Sequence, residues 1–375
     1  MNRKIYLDYN ASTPIAPEAV EAMQPFLTGL YGNPSSLHWA GIPAKDAVEV
    51  ARRQVSDLLG CDPIEVVFTS GGSEANNHAL KGVFLANREK GNHIITTAVE
   101  HPAILNPCRF LEKLGAKVTV LPVDRFGRVD PDDVRRAIAP GTILITVMHA
   151  NNEVGTIQPI AEIAAIARQT GVLLHTDAAQ SVGKISTNVN ELGVDLLSVA
   201  GHKLYAPKGI GALYIREETT IEPLIHGAGH ERGRRAGTEN VLLAVALGAA
   251  CGIAHRWIGM PQVQMLRNRF WEKLQENFGD DVTLNGHTTE RLPNTLNVNF
   301  VGKIGTEILA NMPGVAASTG SACHAGSVTL SSVLAAMGVS KEEGIGAIRF
   351  SLGRTTSWEE LEEVLNGLRT ALSRT

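Results

Sequence analysis

The sequence has no closely spaced cysteine pair, no long apolar run and no strong excess of one charge. Each absence excludes a class of protein. The four cysteines, Cys61, Cys108, Cys251 and Cys323, never fall as C-x-x-C. A disulfide framework or a structural zinc site is therefore not expected, and the usage fits a reducing cytoplasm. No apolar stretch approaches the roughly 18 residues of a membrane-spanning helix. The opening MNRKIYLDYNASTP has no apolar core of the secretory kind, so no signal peptide is expected. A formal charge of −4 on 375 residues gives no electrostatic reason for nucleic acid or an anionic membrane as the main partner. Repeats, low-complexity tracts and long polar linkers are missing as well. What remains is an ordinary globular composition, 44% hydrophobic, with length enough for two domains.

Between roughly residues 60 and 216, seven short apolar runs alternate with helix-like stretches. The runs are EVVFTS, HIITTAV, VTVLPV, TILITVM, VLLHTDA, DLLSVA and GALYIR. Strands rich in Val, Ile and Leu, alternating with helices, predict an α/β domain with a mostly parallel seven-stranded sheet covered on both faces. After Asn240 the pattern changes to long helices, then NTLNVNFV, GAIRFSLG and the closing SWEELEEVLNGLRTALSRT, a smaller α+β domain. The expected division is 15–258 for the large domain, and 1–14 with 259–375 for the small one.

Four features fall at strand ends, where a doubly wound sheet gathers its ligand. In TSGGSEANN a strand runs into two glycines, Ser73 and a helix start, either an anion site or a capping box of Ser73 with Asn76. In HTDAAQSVGK, Asp177 follows a buried-looking run, either paired with a cation or serving as a helix N-cap. In AVEHPAI, His101 precedes a turn-fixing proline, either stacking on a ring or lying on a surface turn. In SVAGHKLYAPKGIG, Lys203 ends a strand, either solvated or a nucleophile. An anion site, a buried acid, a stacking histidine and a lysine are together what pyridoxal phosphate requires for its phosphate, ring nitrogen, ring face and aldehyde.

These stretches, with YLDYNASTP, YGNPSS, HANNEVGTIQPI, ERGRRAGTEN, STGSAC and IRFSLGR, resemble the class V aminotransferase group of pyridoxal-phosphate enzymes, and within it the cysteine desulfurases. The resemblance spans essentially the whole chain. It implies an aspartate-aminotransferase-like fold and a homodimer with sites at the interface. Lys203 resembles the family's Schiff-base lysine, Asp177 the partner of the ring nitrogen, Gln180 the donor to the phenolic oxygen and His101 the stacking residue. Asn152 matches a contact to cofactor and substrate carboxylate. Gly72, Ser73 and His202 match the phosphate cradle, and Thr238 a phosphate contact from the other subunit. Arg354 matches the arginine that grips the substrate carboxylate, for which a bidentate fork suits. The family's Ser or Thr two residues before the cradle histidine is Ala200 here, which implies one phosphate hydrogen bond fewer. The basic stretch HERGRRAG is expected near the phosphate at the dimer interface.

Sulfur chemistry is implied by STGSACHAGSVTLSSVL, in which Cys323 is expected on a loop of small residues. The other three cysteines read as small buried hydrophobes. On this resemblance L-cysteine is converted to L-alanine, with Lys203 moving the Cα proton, His101 a candidate relay and Cys323 taking the sulfur as a persulfide. The sulfur then passes to an acceptor protein, an iron–sulfur scaffold or another sulfur carrier. No bound metal is expected beyond transient contact of Cys323 with a cluster. His324, directly after the cysteine, also resembles selenocysteine lyases, which share the fold and cofactor. A non-catalytic scaffold is the reading from another class, and the assembled set of Lys203, Asp177, His101, Cys323 and Arg354 argues against it.

Overall fold

The structure is a computed structural model that describes residues 4–319, 321–324 and 327–373, with side chains for 4–319 and 329–373. A short strand β1 (Ile5–Tyr6) precedes seven strands of one sheet: β2 (Val66–Thr69), β3 (His93–Thr97), β4 (Lys117–Leu121), β5 (Thr142–Thr146), β6 (Leu173–Asp177), β7 (Leu196–Ala200) and β8 (Gly211–Ile215). Their spatial order is β2-β8-β7-β6-β5-β3-β4. The pairings from β4 through β7 are parallel, and β8 alone runs against both of its neighbours. The seven apolar runs expected from the sequence are these seven strands. Apart from the edge strand β4, they are buried over nearly their whole length, which is why their sequences are near-continuous apolar runs and not alternating ones.

Helices cover both faces. On one side α2 (Gly41–Leu59), α6 (Ile160–Thr170) and α8 (Val241–Ala254) share a cluster with the sheet through Val55, Leu59, Ile163, Ala167, Leu247 and Cys251. On the other, α3 (Gly72–Ala86) and α4 (Pro102–Glu112) pack Leu80, Phe84, Ile104 and Leu111 against it. The remaining helices before residue 255 are α1 (Pro17–Thr28), α5 (Pro131–Ala137) and α7 (Val189–Leu192). α8 is apolar nearly all round because α1 and α2 bury the side that the sheet does not. No single helix among the described residues is long and apolar enough to cross a membrane.

The chain then forms α9 (Pro261–Phe278), β9 (Val282–Asn285), β10 (Thr295–Phe300), β11 (Val315–Ala316), β12 (Ser318–Thr319), the hairpin β13 (Ser321–His324) and β14 (Ser327–Leu330), and β15 (Ala347–Ser351). A four-stranded sheet of order β12-β15-β10-β9 carries α9 and the closing helix Trp358–Leu372 on one face. That helix begins in a capping box of Ser357 and Glu360. It buries Leu361, Val364, Leu365 and Leu368, each worth about 1.5–3 kcal/mol on transfer from water. Ile5 and Leu7 belong to this second apolar cluster, and β1 pairs in parallel with β11. The N-terminal segment therefore packs on the C-terminal part and then crosses to the ends of the large sheet. It enters the site from there.

Candidate active site

The strand ends β2, β6 and β7 and the N-terminal segment enclose a cavity of about 580 Å³. Its floor is the turn from β2 into α3. Gly71 there has φ 148° and ψ −179°, a conformation that essentially only glycine adopts. Gly211 on β8 faces it, and a Cβ at Gly211 would lie 2.7 Å from the Gly71 Cα. Two missing side chains thus let the turn sit directly on the sheet. Gly72 and Ser73, the first residues of α3, line the cavity. First-turn N–H groups have no acceptor inside their own helix, so the position suits an anion. Ser73 makes no capping bond, since the N-cap is Gly71.

The basic stretch is fastened beside this turn by acidic groups. Arg235 donates to Glu74 at 2.9 Å. Burial pushes Glu74 up, but Arg235 and the Ser70 N–H outweigh it and hold the carboxyl below its usual range. Glu231 is buried and accepts from Arg52 at 2.7 and 2.9 Å and from the Phe68 N–H at 2.9 Å. Thr238 lies exposed and does not line the cavity of its own chain.

Asp177 closes β6. Its Oδ2 accepts from Asn76 Nδ2 at 2.7 Å and its Oδ1 from the Ala179 N–H at 2.9 Å, so the carboxylate is fixed and remains in the cavity wall. His101 caps α4, with Nδ1 accepting the Ala103 N–H at 3.0 Å. That bond assigns the proton of the neutral ring to Nε2. His202 approaches Ser12 Oγ at 3.3 Å, and burial together with Lys203 and Lys208 pushes it down to about 4, a neutral imidazole at neutral pH. Ala200, at the end of β7, offers only a methyl group, and a Cβ on Gly72 would lie 3.1 Å from it.

Lys203 Nζ donates to the carbonyls of Asn10 at 2.5 Å and Ala11 at 2.9 Å. Burial and the nearby Arg349 push its pKa down to about 8, well below an ordinary lysine. Gln180 Nε2 donates to the same Asn10 carbonyl at 3.0 Å. Asn152 also lines the cavity and presents its carbonyl to Arg349 Nη1 at 2.8 Å. A lysine poised near neutrality, a fixed acid, a helix start for an anion and a neutral histidine suit a flat, anionic, aldehyde-bearing group.

The structure separates two arginines that the sequence places five residues apart. Arg354, expected at the substrate carboxylate, does not line this cavity. Its guanidinium carbon lies 4.1 Å from the Tyr205 ring centroid and 5.0 Å from that of Trp257. Arg349 lines the cavity instead, with Nη2 on Asp8 Oδ1 at 2.8 Å and on Ser318 Oγ at 3.0 Å. The reason is the two-residue period of β15. Ile348 and Phe350 point into the apolar cluster, so Arg349 must face the other way, whereas Arg354 lies past the strand end.

Cys323 was expected on a loop, and its backbone instead belongs to β13, opposite Val328 of β14. The β-branched Val328 and Thr329 favour the extended form. The side chains of Cys323 and His324 lie outside the described residues. Cys61, Cys108 and Cys251 are unpaired, and burial pushes all three thiols up to about 12, too high to supply a thiolate at neutral pH.

The sequence profile of the Aminotransferase class-V family matches residues 5–364. The chain is also 48% identical over 378 residues to Cysteine desulfurase IscS of Dictyoglomus turgidum, covering 100% of this chain and 96% of that one. The chain belongs to the class-V aminotransferase family, among its cysteine desulfurases. A second desulfurase, from Methanosarcina thermophila, is 47% identical over 97% of this chain and 91% of its own. Among solved structures, a NifS-like protein superposes on this desulfurase with a TM-score of 0.93 at 36% identity, covering 99% and 100% of the two chains. A protein described as SspA in complex with cysteine gives 0.83 at 39% identity, covering 93% and 98%. Asn10, Arg349 and Lys184 of the desulfurase site were not singled out from its sequence. An arginine in the middle of the apolar run AIRFS was the available signal for Arg349, because a charge there needs a polar cavity.

Proposed function

We propose that the cavity holds pyridoxal 5'-phosphate and takes sulfur from L-cysteine, releasing L-alanine and leaving a persulfide on Cys323. Bound there, the cofactor would offer an aldehyde to an amine and a protonated ring that accepts electrons from the substrate's Cα. The observation that carries this reading is Lys203, a half-buried amine brought down to about 8 beside the fixed carboxylate of Asp177. Lys203 would hold the aldehyde end of the cofactor, and its amine is the base placed to take the substrate's Cα proton. Asp177 would keep the ring nitrogen protonated, Gln180 would donate to the phenolic oxygen, and His101 would serve the ring face with its Nε2–H available to relay a proton. Gly72, Ser73 and His202 would hold the phosphate, joined by the partner subunit's Thr238. Ala200 contributes no hydroxyl to that cradle.

Arg349, not Arg354, grips the substrate carboxylate, with Asn152 beside it. Its two nitrogens already rest on oxygen acceptors, which fixes the fork for a bidentate contact. The Cys323 thiolate attacks the substrate sulfur, the Cβ–S electron pair passes to carbon, and a proton completes alanine.

A homodimer is supported by the exposed apolar side chains of residues 27–42, among them Tyr31, Leu37 and Trp39 at 75, 86 and 80% exposure. The two domains are 15–258 and 1–14 with 259–375. The enzyme acts in the cytoplasm, and its persulfide goes to an iron–sulfur scaffold or another sulfur-carrier protein. Incubation of the purified protein with cofactor and L-cysteine tests the whole reading. Alanine should form stoichiometrically with sulfide or persulfide, Lys203→Ala should form none, and the persulfide should map to Cys323 by mass. Undiminished cysteine turnover by Cys323→Ala, or turnover of selenocysteine alone, would overturn it.

A further inference from the structure

Behind Lys203, away from the mouth of the cavity, a second lysine is sealed inside the protein. Lys184 is 5% exposed, and a void of only about 10 Å³, closed by Tyr9, Met260, Asn294 and Leu352, touches both lysines. Among the described residues no carboxylate pairs with it. The charged groups near enough to act on Lys184 are Lys203 and Arg349, both cations, and burial with these two pushes its pKa well below the ordinary lysine value. Both causes favour the uncharged amine.

Its N–H donors have two acceptors in reach. Gln180 Oε1 is 3.0 Å from Nζ and Asn10 Oδ1 is 3.1 Å from it. Asn10 Oδ1 also accepts from Asn294 Nδ2 at 3.0 Å, which keeps the asparagine side chain in place. With Oε1 committed to Lys184, the nitrogen of the Gln180 amide is the end that faces the Asn10 carbonyl, 3.0 Å away, beside Lys203. Turned the other way, the amide would set oxygen against oxygen. Lys184 follows Gln180 by four residues in the turn after β6, and Gly183 between them has φ 74°, which helps to fold the lysine back over the glutamine.

We propose that Lys184 is a positioning residue whose two N–H groups, on Gln180 Oε1 and Asn10 Oδ1, fix which end of the Gln180 amide meets the cavity. An N–H, and not an oxygen, then reaches the cofactor's phenolic oxygen. This rests on the reading that Gln180 contacts that oxygen, and it gives the buried lysine a task that packing alone does not.

The test is the pH midpoint of the bound cofactor's visible absorption band, which follows the proton shared between the lysine nitrogen and the phenolic oxygen. An outside donor to that oxygen weakens its hold on the proton and lowers the midpoint. Lys184→Met keeps the length of the side chain and removes the donors. Its holoenzyme should show a midpoint raised by about one pH unit, the size of one hydrogen bond to a charged oxygen. Gln180→Leu should give the same rise, and the double variant no more than Gln180→Leu alone. Lys184→Gln, which keeps an N–H donor group and serves if the methionine variant folds poorly, should recover at least half of the shift. An unmoved midpoint in Lys184→Met while Gln180→Leu moves it overturns the proposal, as does a Lys184→Met shift that persists in the Gln180→Leu background. So does a lowered apoprotein melting point with the band unchanged. An unmoved midpoint in Gln180→Leu itself sinks the underlying assignment of Gln180, and the proposal with it.

Discussion

Arg354 lies over the ring of Tyr205, and its own backbone N–H donates to that residue's Oη at 2.9 Å. The two are thus joined twice, by a cation on a ring face and by a hydrogen bond, some distance from the cavity that Arg349 enters. The two arginines should therefore fail differently. Arg349→Lys keeps the charge and loses the fork, so the KM for cysteine should rise roughly 10- to 100-fold with a smaller change in kcat. Arg354→Ala loses the ring contact and should lower the melting point, with KM held within about twofold. A rise in KM confined to the Arg354 variant would return the carboxylate to that residue.

Lys203 gives a pH dependence whose direction follows from its environment. Only the unprotonated amine attacks an aldehyde. With the pKa brought down to about 8 by burial and Arg349, the fraction of free amine grows as pH rises and is nearly complete above that value. Capture of added cofactor by the apoprotein should quicken about tenfold per pH unit below the midpoint and level off above it. A lysine of ordinary pKa would keep gaining past pH 10. Arg349→Gln removes the neighbouring cation and should move the plateau to higher pH. Stopped-flow absorbance across the range measures both, and a rate still climbing steeply beyond pH 9 in the unmutated protein would refute the assignment.

The cradle invites a gain of function. Ala200 Cβ faces the first turn of α3, near enough that a methyl on Gly72 would press on it at 3.1 Å. A hydroxyl at position 200 would reach the same anion position as the Gly72 and Ser73 amides. Ala200→Ser should slow cofactor dissociation roughly three- to tenfold, the worth of one added hydrogen bond. Gly72→Ala should speed it by crowding that spot. Trapping of released cofactor gives both rates, and a faster release from Ala200→Ser would mean the phosphate sits elsewhere.

Much of this architecture was legible because it follows from periodicity. Runs such as HIITTAV and DLLSVA are apolar on successive residues, and only strands buried on both faces keep that pattern. The strand-end placement of Asp177, Lys203 and the TSGGS turn followed from the same alternation. What stayed hidden depends on distance in sequence. Asn10 receives Lys203, Gln180 and Lys184 from more than 160 positions away, and no local pattern marks an asparagine as a hub. Lys184 reads in sequence as one more lysine after a glycine, and only its burial gives it meaning. Arg349 was obscured by Arg354 within IRFSLGR, although counting by twos along the strand from Ile348 would have turned it to the polar side. The hairpin at Cys323 was masked by small residues that suit loops and strands equally.

Glu100 supplies a last test, of stability against pH. It sits immediately before His101, is buried, and accepts from Thr97 Oγ1 at 2.8 Å and the Met148 N–H at 2.9 Å through Oε1, while Oε2 has no partner among the described residues. Burial, with Asp177 adding to it, pushes its pKa up to about 8, so the folded protein holds this carboxyl protonated at neutral pH. The unfolded chain releases the proton near the ordinary value of about 4.3. Between those two pH values the folded state binds the extra proton, and its stability must fall as pH rises, by up to about 1.4 kcal/mol per unit. Below the lower value the contribution is complete, and above about 8 it has been lost. Glu100→Gln keeps an oxygen for Thr97 and Met148 and replaces the acidic O–H by an N–H that does not titrate. The variant should match the unmutated protein below about pH 4 and become the more stable of the two by a margin that widens up to about pH 8 and then stays constant. Denaturant melts of both apoproteins at several pH values measure that margin. Parallel curves would mean that Glu100 is ionised in the folded state and has a cation or a water on Oε2.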